Sequence, residues 1–252
     1  MDFTVASYAA WRAVGADGTV AKPDVSFIPP LERRRLTGVE RAALAVAWQV
    51  RPEGDVPVVF ASRWGEIGVT LKLMEQFHAD REMSPARFSA SVHNAAPGAF
   101  SLLTHNHAPY TAIAARERSL EAGLLEALTQ GAAARSASGP YHHPLVGTPR
   151  RGVRISARSA SGPYQGAVVF VFAEEATPAF YAPAVGPLQP ACALAVRLEP
   201  GRVATCCDRA VGPCRADFRS AECPPVSFDA ADAFFSGRAD ALEAASFTLT
   251  RI

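Results

Sequence analysis

Ser91, His93 and Ser119 are of residue types that can carry acyl groups or move protons. Ser91 lies close to His93, and Ser119 follows further along the chain. A serine activated by a histidine is the chemistry of acyltransferases and thioesterases. The GxSxG sequence that exposes a hydrolase nucleophile on a strand-to-helix turn is missing around Ser91. A free-standing acyltransferase or thioesterase-like enzyme that uses Ser91 or Ser119 with His93 is therefore an alternative hypothesis, and not the leading one.

The histidines and cysteines do not follow a metal-binding pattern. The spacing of His105 and His107, and of His142 and His143, is wrong for two ligands on one helix face, and carboxylates are not nearby in the sequence. The chain has five cysteines and no CxxC pair, and Cys192 is the first of them. We therefore expect exposed loop histidines, reduced thiols, and neither a metal nor a cofactor.

The segment from Met83 to Gly98, together with Ala61 to Glu66 upstream, carries a family resemblance. Both segments are similar to the N-terminal ketoacyl-synthase-like family, and in particular to the chain length factors of aryl polyene and xanthomonadin-type pigment clusters. The resemblance implies a thiolase-like (ketosynthase-like) half. In that fold, the motif residues would line a pocket or a dimer interface: Phe88, Ser91, Val92, His93 and Asn94. The alternative for His93 and Asn94 is hydrogen bonding to the backbone of a loop.

The resemblance also indicates which residue type is missing. Active members of the family use a cysteine at the start of a buried helix, where the helix dipole helps to hold the thiolate. Aligning Gly123 with the small residue that follows this nucleophile places the nucleophile position near Ala115, and an offset of two residues reaches Arg116 or Glu117. None of these side chains can form the thioester of a ketosynthase, so we expect no catalytic residue here. Glu117 is chemically capable of acid–base catalysis, but a charged cluster at a helix start explains it more simply.

Without a nucleophile, association with another protein is the function that the resemblance implies. Active relatives draw two further catalytic residues, usually histidines, from a second half of the fold, and we expect a chain of 252 residues to lack that half. A non-catalytic chain length factor would form a heterodimer with an active ketosynthase, and an acyl carrier protein is a further candidate partner. The strand before the nucleophile helix pairs across the dimer in the family, which predicts an interface at Thr111, Ala112, Ile113, Ala114 and Ala115. A structural homodimer is a third hypothesis.

The elements that must position these residues alternate between helix and strand. Apolar spacing predicts a helix from Leu31 to Val50, interrupted at most by Gly38, and a second helix from Glu66 to His78. The apolar stripe of the second helix contains Ile67, Leu71, Met74 and His78, and that of a third helix contains Leu120, Leu124, Leu125 and Leu128. Strands are predicted at residues 56–60, 110–115, 167–173, 192–198 and 246–252. The alternation indicates the α/β class, with a mixed sheet layered with helices in a single domain, 1–252.

The overall composition excludes several classes of partner. The 25 basic and 24 acidic residues nearly cancel, so no long-range field attracts nucleic acid or anionic lipid. No apolar run approaches the roughly 20 residues that span a bilayer, and Met1 to Val5 lacks the start of a secretory signal, so we expect a cytoplasmic protein. The segment from Ala134 to Tyr141 recurs unchanged as Ala157 to Tyr164, and we expect residues 131–166 to form a flexible or rearranged surface segment.

Overall fold

The computed structural model describes residues 2–15, 18–136, 166–185, 189–201, 212–218, 223–245 and 247–251. Its strands are β1 (Asp2–Arg12), β2 (Val58–Ala61), β3 (Tyr110–Ile113), β4 (Val168–Glu174), β5 (Cys192–Pro200), β6 (Gly212–Phe218), β7 (Ala241–Glu243) and β8 (Phe247–Arg251). Its α-helices are α1 (Pro30–Arg33), α2 (Gly38–Val50), α3 (Ile67–Asp80), α4 (Pro85–Ser89), α5 (Ala95–Thr104), α6 (Ser119–Ser136), α7 (Ala182–Val185) and α8 (Phe228–Phe235). Short 3-10 helices precede α6 at Arg116–Arg118 and α7 at Ala179–Tyr181.

The described strands form one mixed sheet in the order β3-β2-β4-β5-β1-β6-β8-β7. β2 runs parallel to β3 and to β4, and the remaining neighbours are antiparallel. This arrangement confirms the predicted α/β class and the mixed sheet. The five predicted strands correspond to β2, β3, β4, β5 and β8, whereas β1, β6 and β7 are not among the predicted elements.

Helices cover both faces of the sheet. α2 and α5 pack on one face against Phe60 and Val171, and α6 and α8 pack on the other face, where Val59 and Phe170 lie. Successive side chains of a strand alternate between the two faces. Because β4 is covered on both, it is buried along its whole length and consists of a nearly continuous apolar run. The sequence therefore predicts β4 more clearly than any other strand.

The helix predicted from Leu31 to Val50 is two helices, α1 and α2. Thr37 is the N-cap of α2: its Oγ1 accepts a hydrogen bond from the Glu40 N–H at 3.1 Å, and the Glu40 carboxylate accepts one from the Thr37 N–H at 2.7 Å. This capping box satisfies backbone donors that the helix start would leave unpaired. Helix α2 therefore begins at Gly38, and the preceding residues form a turn.

The approach of α6 to the sheet depends on Gly123. A Cβ atom at this position would lie 2.5 Å from the Ala61 Cβ and 2.7 Å from the Phe170 Cε2. Helix and sheet can approach this closely only because residue 123 has no side chain. The predicted stripe of this helix is confirmed, since its leucines are buried or half-buried: Leu120, Leu124, Leu125 and Leu128.

Part of the predicted surface segment, from 137 to 165, lies outside the described residues, and so do His142 and His143. The beginning of that segment, residues 131–136, is the end of α6. Across the described ranges, none of the helices combines the length and the apolar character needed to cross a membrane.

Candidate functional site

The carboxyl ends of β2, β3 and β4 form what we call the carboxyl edge. It contains Ser62 to Gly65 after β2, Ala114 to Glu117 after β3, and Glu174 at the end of β4. Parallel strands bring their carboxyl ends to the same edge of a sheet, which is where α/β proteins usually place their sites. The carboxyl edge is therefore the candidate functional site.

Glu174 organises the loop that follows β2. Its carboxylate accepts hydrogen bonds from the Ser62 Oγ at 3.1 Å, from the Arg63 N–H, and from the Trp64 N–H at 3.4 Å. The Ser62 Oγ in turn accepts the Gly65 N–H at 2.8 Å. Burial raises the pKa of Glu174 to about 7, although the hydrogen bonds from the loop favour its ionised form. Both oxygens of the carboxyl are committed to holding the loop, so its role in the described structure is to position that loop.

Cys192 lies beside Glu174, because the two residues are partners in the β4–β5 ladder. A thiol next to a carboxyl group resembles a nucleophile with its base, but the electrostatics are unfavourable. Burial raises the pKa of Cys192 to about 12, and the charge of Glu174 acts in the same direction. Since the thiolate is the reactive form, this thiol is not activated.

The predicted nucleophile position lies in the turn between β3 and α6. Arg116 has a φ of +52°, in the left-handed region that few residues other than glycine adopt. The Glu117 Oε1 pairs with the Arg63 Nη2 at 2.7 Å, which joins this turn to the loop after β2. Ala115, Arg116 and Glu117 thus offer a methyl group, a guanidinium and a paired carboxylate at this position, and none of these is a thiol or a hydroxyl.

Ser119, the hydroxyl nearest to that turn, is committed to the backbone. Its Oγ accepts the Ala115 N–H at 2.9 Å and donates to the Arg116 carbonyl at 2.7 Å, and its side chain is buried. These bonds also explain why β3 ends at Ile113, two residues earlier than predicted: the Ala115 N–H caps the turn instead of extending the ladder. Ser119 stabilises the turn and the first residues of α6.

Ser91 and His93 do not form a catalytic pair. The Ser91 Oγ donates to the Phe88 carbonyl at 2.8 Å. The His93 Nε2 lies 2.9 Å from the Ser62 carbonyl, and because a carbonyl can only accept, this ring nitrogen carries the proton. The imidazole also packs edge-on against Phe60, with ring centroids 5.7 Å apart. His93 therefore fits the backbone-bonding alternative, and it ties the motif to the loop after β2.

The other motif residues face outward. Phe88 is 57% exposed and Val92 is 42% exposed. Asn94 is exposed at the N-cap of α5 and makes no capping hydrogen bond through its side chain. The motif is consequently divided between one inward contact, at His93, and side chains that project away from the core.

The predicted interface strand is an edge strand. β3 contains Thr111, Ala112 and Ile113, with Ala114 and Ala115 directly after it, and in the described residues it pairs with β2 alone. The Thr111 Oγ1 accepts a hydrogen bond from Gln130 of α6 at 3.2 Å, which holds one face of the strand. No strand of the described residues lies beside the outer row of backbone donors and acceptors of β3, and such an edge is a template for pairing with another chain.

In the chain segment that connects β2 to β3, six large apolar side chains project into solvent. We call them the outer apolar residues: Met74, Phe77, Met83, Phe88, Val92 and Leu102. Of the residues at helical spacing in α3, which are Ile67, Leu71, Met74 and His78, only Ile67 is buried. The physical reason is that α3 packs against α4 and does not lie on the sheet. The helix forms as predicted, and Met74 and His78 on its outer side are exposed to solvent.

Sequence reasoning missed the buried carboxyl groups. Glu174 and Glu175 directly follow the apolar run of β4, and this pair of acids at a strand end was an available signal. Glu66 is buried at the start of α3. The described residues contain no group of three or more histidine, cysteine or acidic side chains that could hold a metal ion. His105 and His107 are exposed, as expected for loop histidines.

Comparison with known families defines the class of this protein. The model of the beta-ketoacyl synthase N-terminal domain matches residues 8–137, and the chain belongs to this family. The match includes the motif, the carboxyl edge after β2 and β3, and the whole of α6. No curated protein has a significant sequence match to this chain.

Solved structures share the fold. One is a ketosynthase (ApeO) in complex with its chain length factor (ApeC) from Xenorhabdus doucetiae, which is matched with a TM-score of 0.66 and 20% identity over 100% of both chains. Another is a beta-ketoacyl synthase from Burkholderia phymatum STM815, with a TM-score of 0.52 and 11% identity over 78% of this chain and 58% of that one. The predicted thiolase-like, ketosynthase-like architecture is thereby confirmed.

Proposed function

We propose that this chain is a chain length factor, a non-catalytic subunit that binds an active ketosynthase in polyene or fatty-acid-like biosynthesis. The observation that carries this proposal is the turn after β3. In a condensing enzyme this turn holds the group that is acylated, and here it holds Ala115, a strained Arg116, and Glu117 paired to Arg63. Condensation needs a covalent acyl-enzyme, and these side chains supply no group for it.

The geometry of the serines disfavours the enzyme alternative. The hydroxyl protons of Ser91 and Ser119 are donated to backbone carbonyls. The His93 Nε2 is a donor to Ser62, so that nitrogen is not available as a base. An acyltransferase or thioesterase would require these three groups to rearrange together.

The open edge of β3 and the outer apolar residues together supply a surface for a partner. A specific complex buries about 800 Å² on each partner, which is more than the four residues of β3 can provide. Tyr110 begins β3, and its hydroxyl lies beside Gly98 of α5, so the strand edge and α5 are neighbours. In the proposal, the ketosynthase covers the edge of β3 and the adjacent α5. The complex works with an acyl carrier protein in the cytoplasm.

Co-purification tests the proposal. The chain is expressed with and without a ketosynthase subunit from the same organism, and the molar mass of each species is measured by light scattering. We expect a heterodimer with the ketosynthase. Phe88→Lys should weaken it about tenfold, equivalent to about 1.4 kcal/mol, because the complex would bury a charge. Phe180→Lys is the matched control, since Phe180 is 69% exposed on the 3-10 helix that packs against α7, outside the proposed surface, and its replacement should not affect binding.

Three outcomes would contradict the proposal. A stable homodimer that ignores the ketosynthase supports the scaffold hypothesis instead. Turnover of acyl thioesters by the isolated chain, lost on Ser91→Ala or Ser119→Ala, supports the enzyme hypothesis. Equal binding by the Phe88→Lys and Phe180→Lys variants removes the outer apolar residues from the interface.

A further inference from the structure

The N-terminal ends of α2 and α3 meet at a pair of side chains. Thr37, the N-cap of α2, donates its hydroxyl proton to the Glu66 Oε1 at 2.8 Å, and Glu66 is the N-cap of α3. The same threonine oxygen accepts the Glu40 N–H. One hydroxyl therefore connects both helix starts, and we call this contact the helix junction.

A second carboxylate lies between the two helix starts. Glu175, directly after β4, accepts a hydrogen bond from the Gly68 N–H in the first turn of α3. A Cβ atom at Gly68 would lie 3.0 Å from both Glu175 carboxylate oxygens, and one at Gly38 would lie 3.5 Å from the Glu175 Oε2. Helix N-termini favour negative charge, so this place suits an anion, and Glu175 fills it.

Glu66 has less support for a negative charge, since the Thr37 hydroxyl is its one donor among the described residues and its side chain makes no capping hydrogen bond to α3. Its side chain is 3% exposed, and its Oε2 has no hydrogen-bond donor among the described residues. The groups that act on it electrostatically are the carboxyls of Glu40 on α2 and Glu175 after β4. The nearby cations stabilise other carboxylates: the charge of Arg41 acts to lower the pKa of Glu40, and that of Lys72 acts to lower the pKa of Glu175. A buried carboxylate oxygen with no donor and two acidic neighbours is strongly destabilised.

We propose that Glu66 is a neutral carboxylic acid in the folded protein, with its proton on Oε2, and that this proton makes the helix junction sensitive to pH. The inference goes beyond the proposed function and does not depend on it. Glu66 ends the loop that runs from Ser62 at the carboxyl edge, so a weakened junction would also loosen the support of Arg63 and its contact to Glu117.

The direction of the pH effect follows from linkage. Burial raises the pKa of Glu66 from 4.5 to about 8, with Glu40 and Glu175 acting in the same direction and the hydrogen bond from Thr37 opposing it. Between these two values the folded state binds more protons than the unfolded state, so stability falls as the pH rises. The contribution of the proton is fully present below the unfolded pKa and is lost as the pH rises through about 8.

The test compares thermal unfolding of the wild type and of Glu66→Gln at about pH 6 and about pH 9. The amide keeps an acceptor for Thr37 and carries no charge. We expect the melting temperature of the wild type to fall by about 4 °C more than that of the variant between the two pH values. Infrared spectroscopy of the wild type gives a second measurement: a protonated carboxyl band should still be present above about pH 7, where Glu174 ionises, and should vanish as the pH rises through about 8.

Glu121→Gln is the matched control, because Glu121 is also a buried glutamate but is paired with Arg118 at 2.8 Å. That variant should be less stable at both pH values and keep the wild-type dependence on pH. The proposal is overturned if Glu66→Gln shows the wild-type pH dependence. It is equally overturned if the infrared band is missing at neutral pH, a measurement that needs no variant to fold.

Discussion

Helices α2 and α3 are similar in length, at 13 and 14 residues, yet they contribute to the fold in different ways. α2 lies on the sheet against β1, β4 and β5 and also contacts α5. It buries nine residues: Val39, Glu40, Ala42, Ala43, Leu44, Ala45, Val46, Ala47 and Val50. α3 buries only Ile67 and Leu73 and packs against the short helix α4.

Apolar spacing predicts that a segment is helical, but it does not predict how much of the helix is buried. Both helices have apolar residues at helical spacing, and both form. The small residues of α2 allow close approach on several sides, whereas the larger side chains of α3, such as Met74 and Phe77, remain exposed. Exposed apolar side chains in number usually mark a contact with another molecule. Three pairs of matched variants test this contrast.

The largest difference is expected between two leucine truncations. Leu44 of α2 is buried and borders an apolar cavity of about 10 Å³ between α2, α5 and β2, which the truncation would enlarge. Leu44→Ala should lower the free energy of unfolding by about 2–5 kcal/mol. Leu102→Ala, at a helical leucine that is 78% exposed, should change it by less than about 0.5 kcal/mol. Denaturant unfolding of both variants measures these changes in the free energy of unfolding. Equal losses of stability would mean that the outer apolar residues are covered by other parts of the chain.

The second comparison uses two helical glycines. Gly123→Ala would place a methyl group against Ala61 and Phe170 and should cost about 1–3 kcal/mol. Gly98→Ala has room, since the nearest atom to its Cβ is the Tyr110 hydroxyl oxygen at 3.7 Å. Alanine is the better helix former, so this variant should gain about 0.5–1 kcal/mol. A destabilised Gly98→Ala variant would show that α5 is held more tightly than its exposed side suggests.

The smallest difference is expected between two helix caps. Thr37→Val removes the capping box of α2 and the donor to Glu66, and should cost about 1–2 kcal/mol. Ser84→Ala removes the cap of α4, which buries no residue, and should cost less than about 0.5 kcal/mol. Thermal unfolding of the two variants provides the measurement. Similar losses would indicate that α4 is as important to the fold as α2.

The polar residues of the carboxyl edge were only partly predictable. The motif around His93 and the missing cysteine near Ala115 can be recognised in the sequence, because they depend on residue type and local spacing. The contacts of Glu174 with Ser62 and Arg63 join residues more than 100 positions apart. Such contacts exist only once β4 lies beside β2, so no local pattern reports them.

Strand β1 was missed although its composition was an available signal. It contains five of the β-branched and aromatic residues that favour strands, Phe3, Thr4, Val5, Tyr8 and Trp11, and it pairs with β5 and β6 along the middle of the sheet. The C-terminal elements β6, β7 and α8 were likewise absent from the predictions, although Ser227 caps α8 with a hydrogen bond that a serine at a helix start often makes.

By itself, the sequence determined the α/β class, the helices and strands with strong periodicity, and the absence of a thiol before α6. These features follow from residue types and short spacings, which act before the chain is compact. Among the described residues, only the assembled fold shows that β3 lies at the sheet edge, that α3 leaves Met74 and Phe77 exposed, and that the Glu66 Oε2 is buried without a donor. Burial and charge depend on which distant segments come together, and that is a property of the assembled fold.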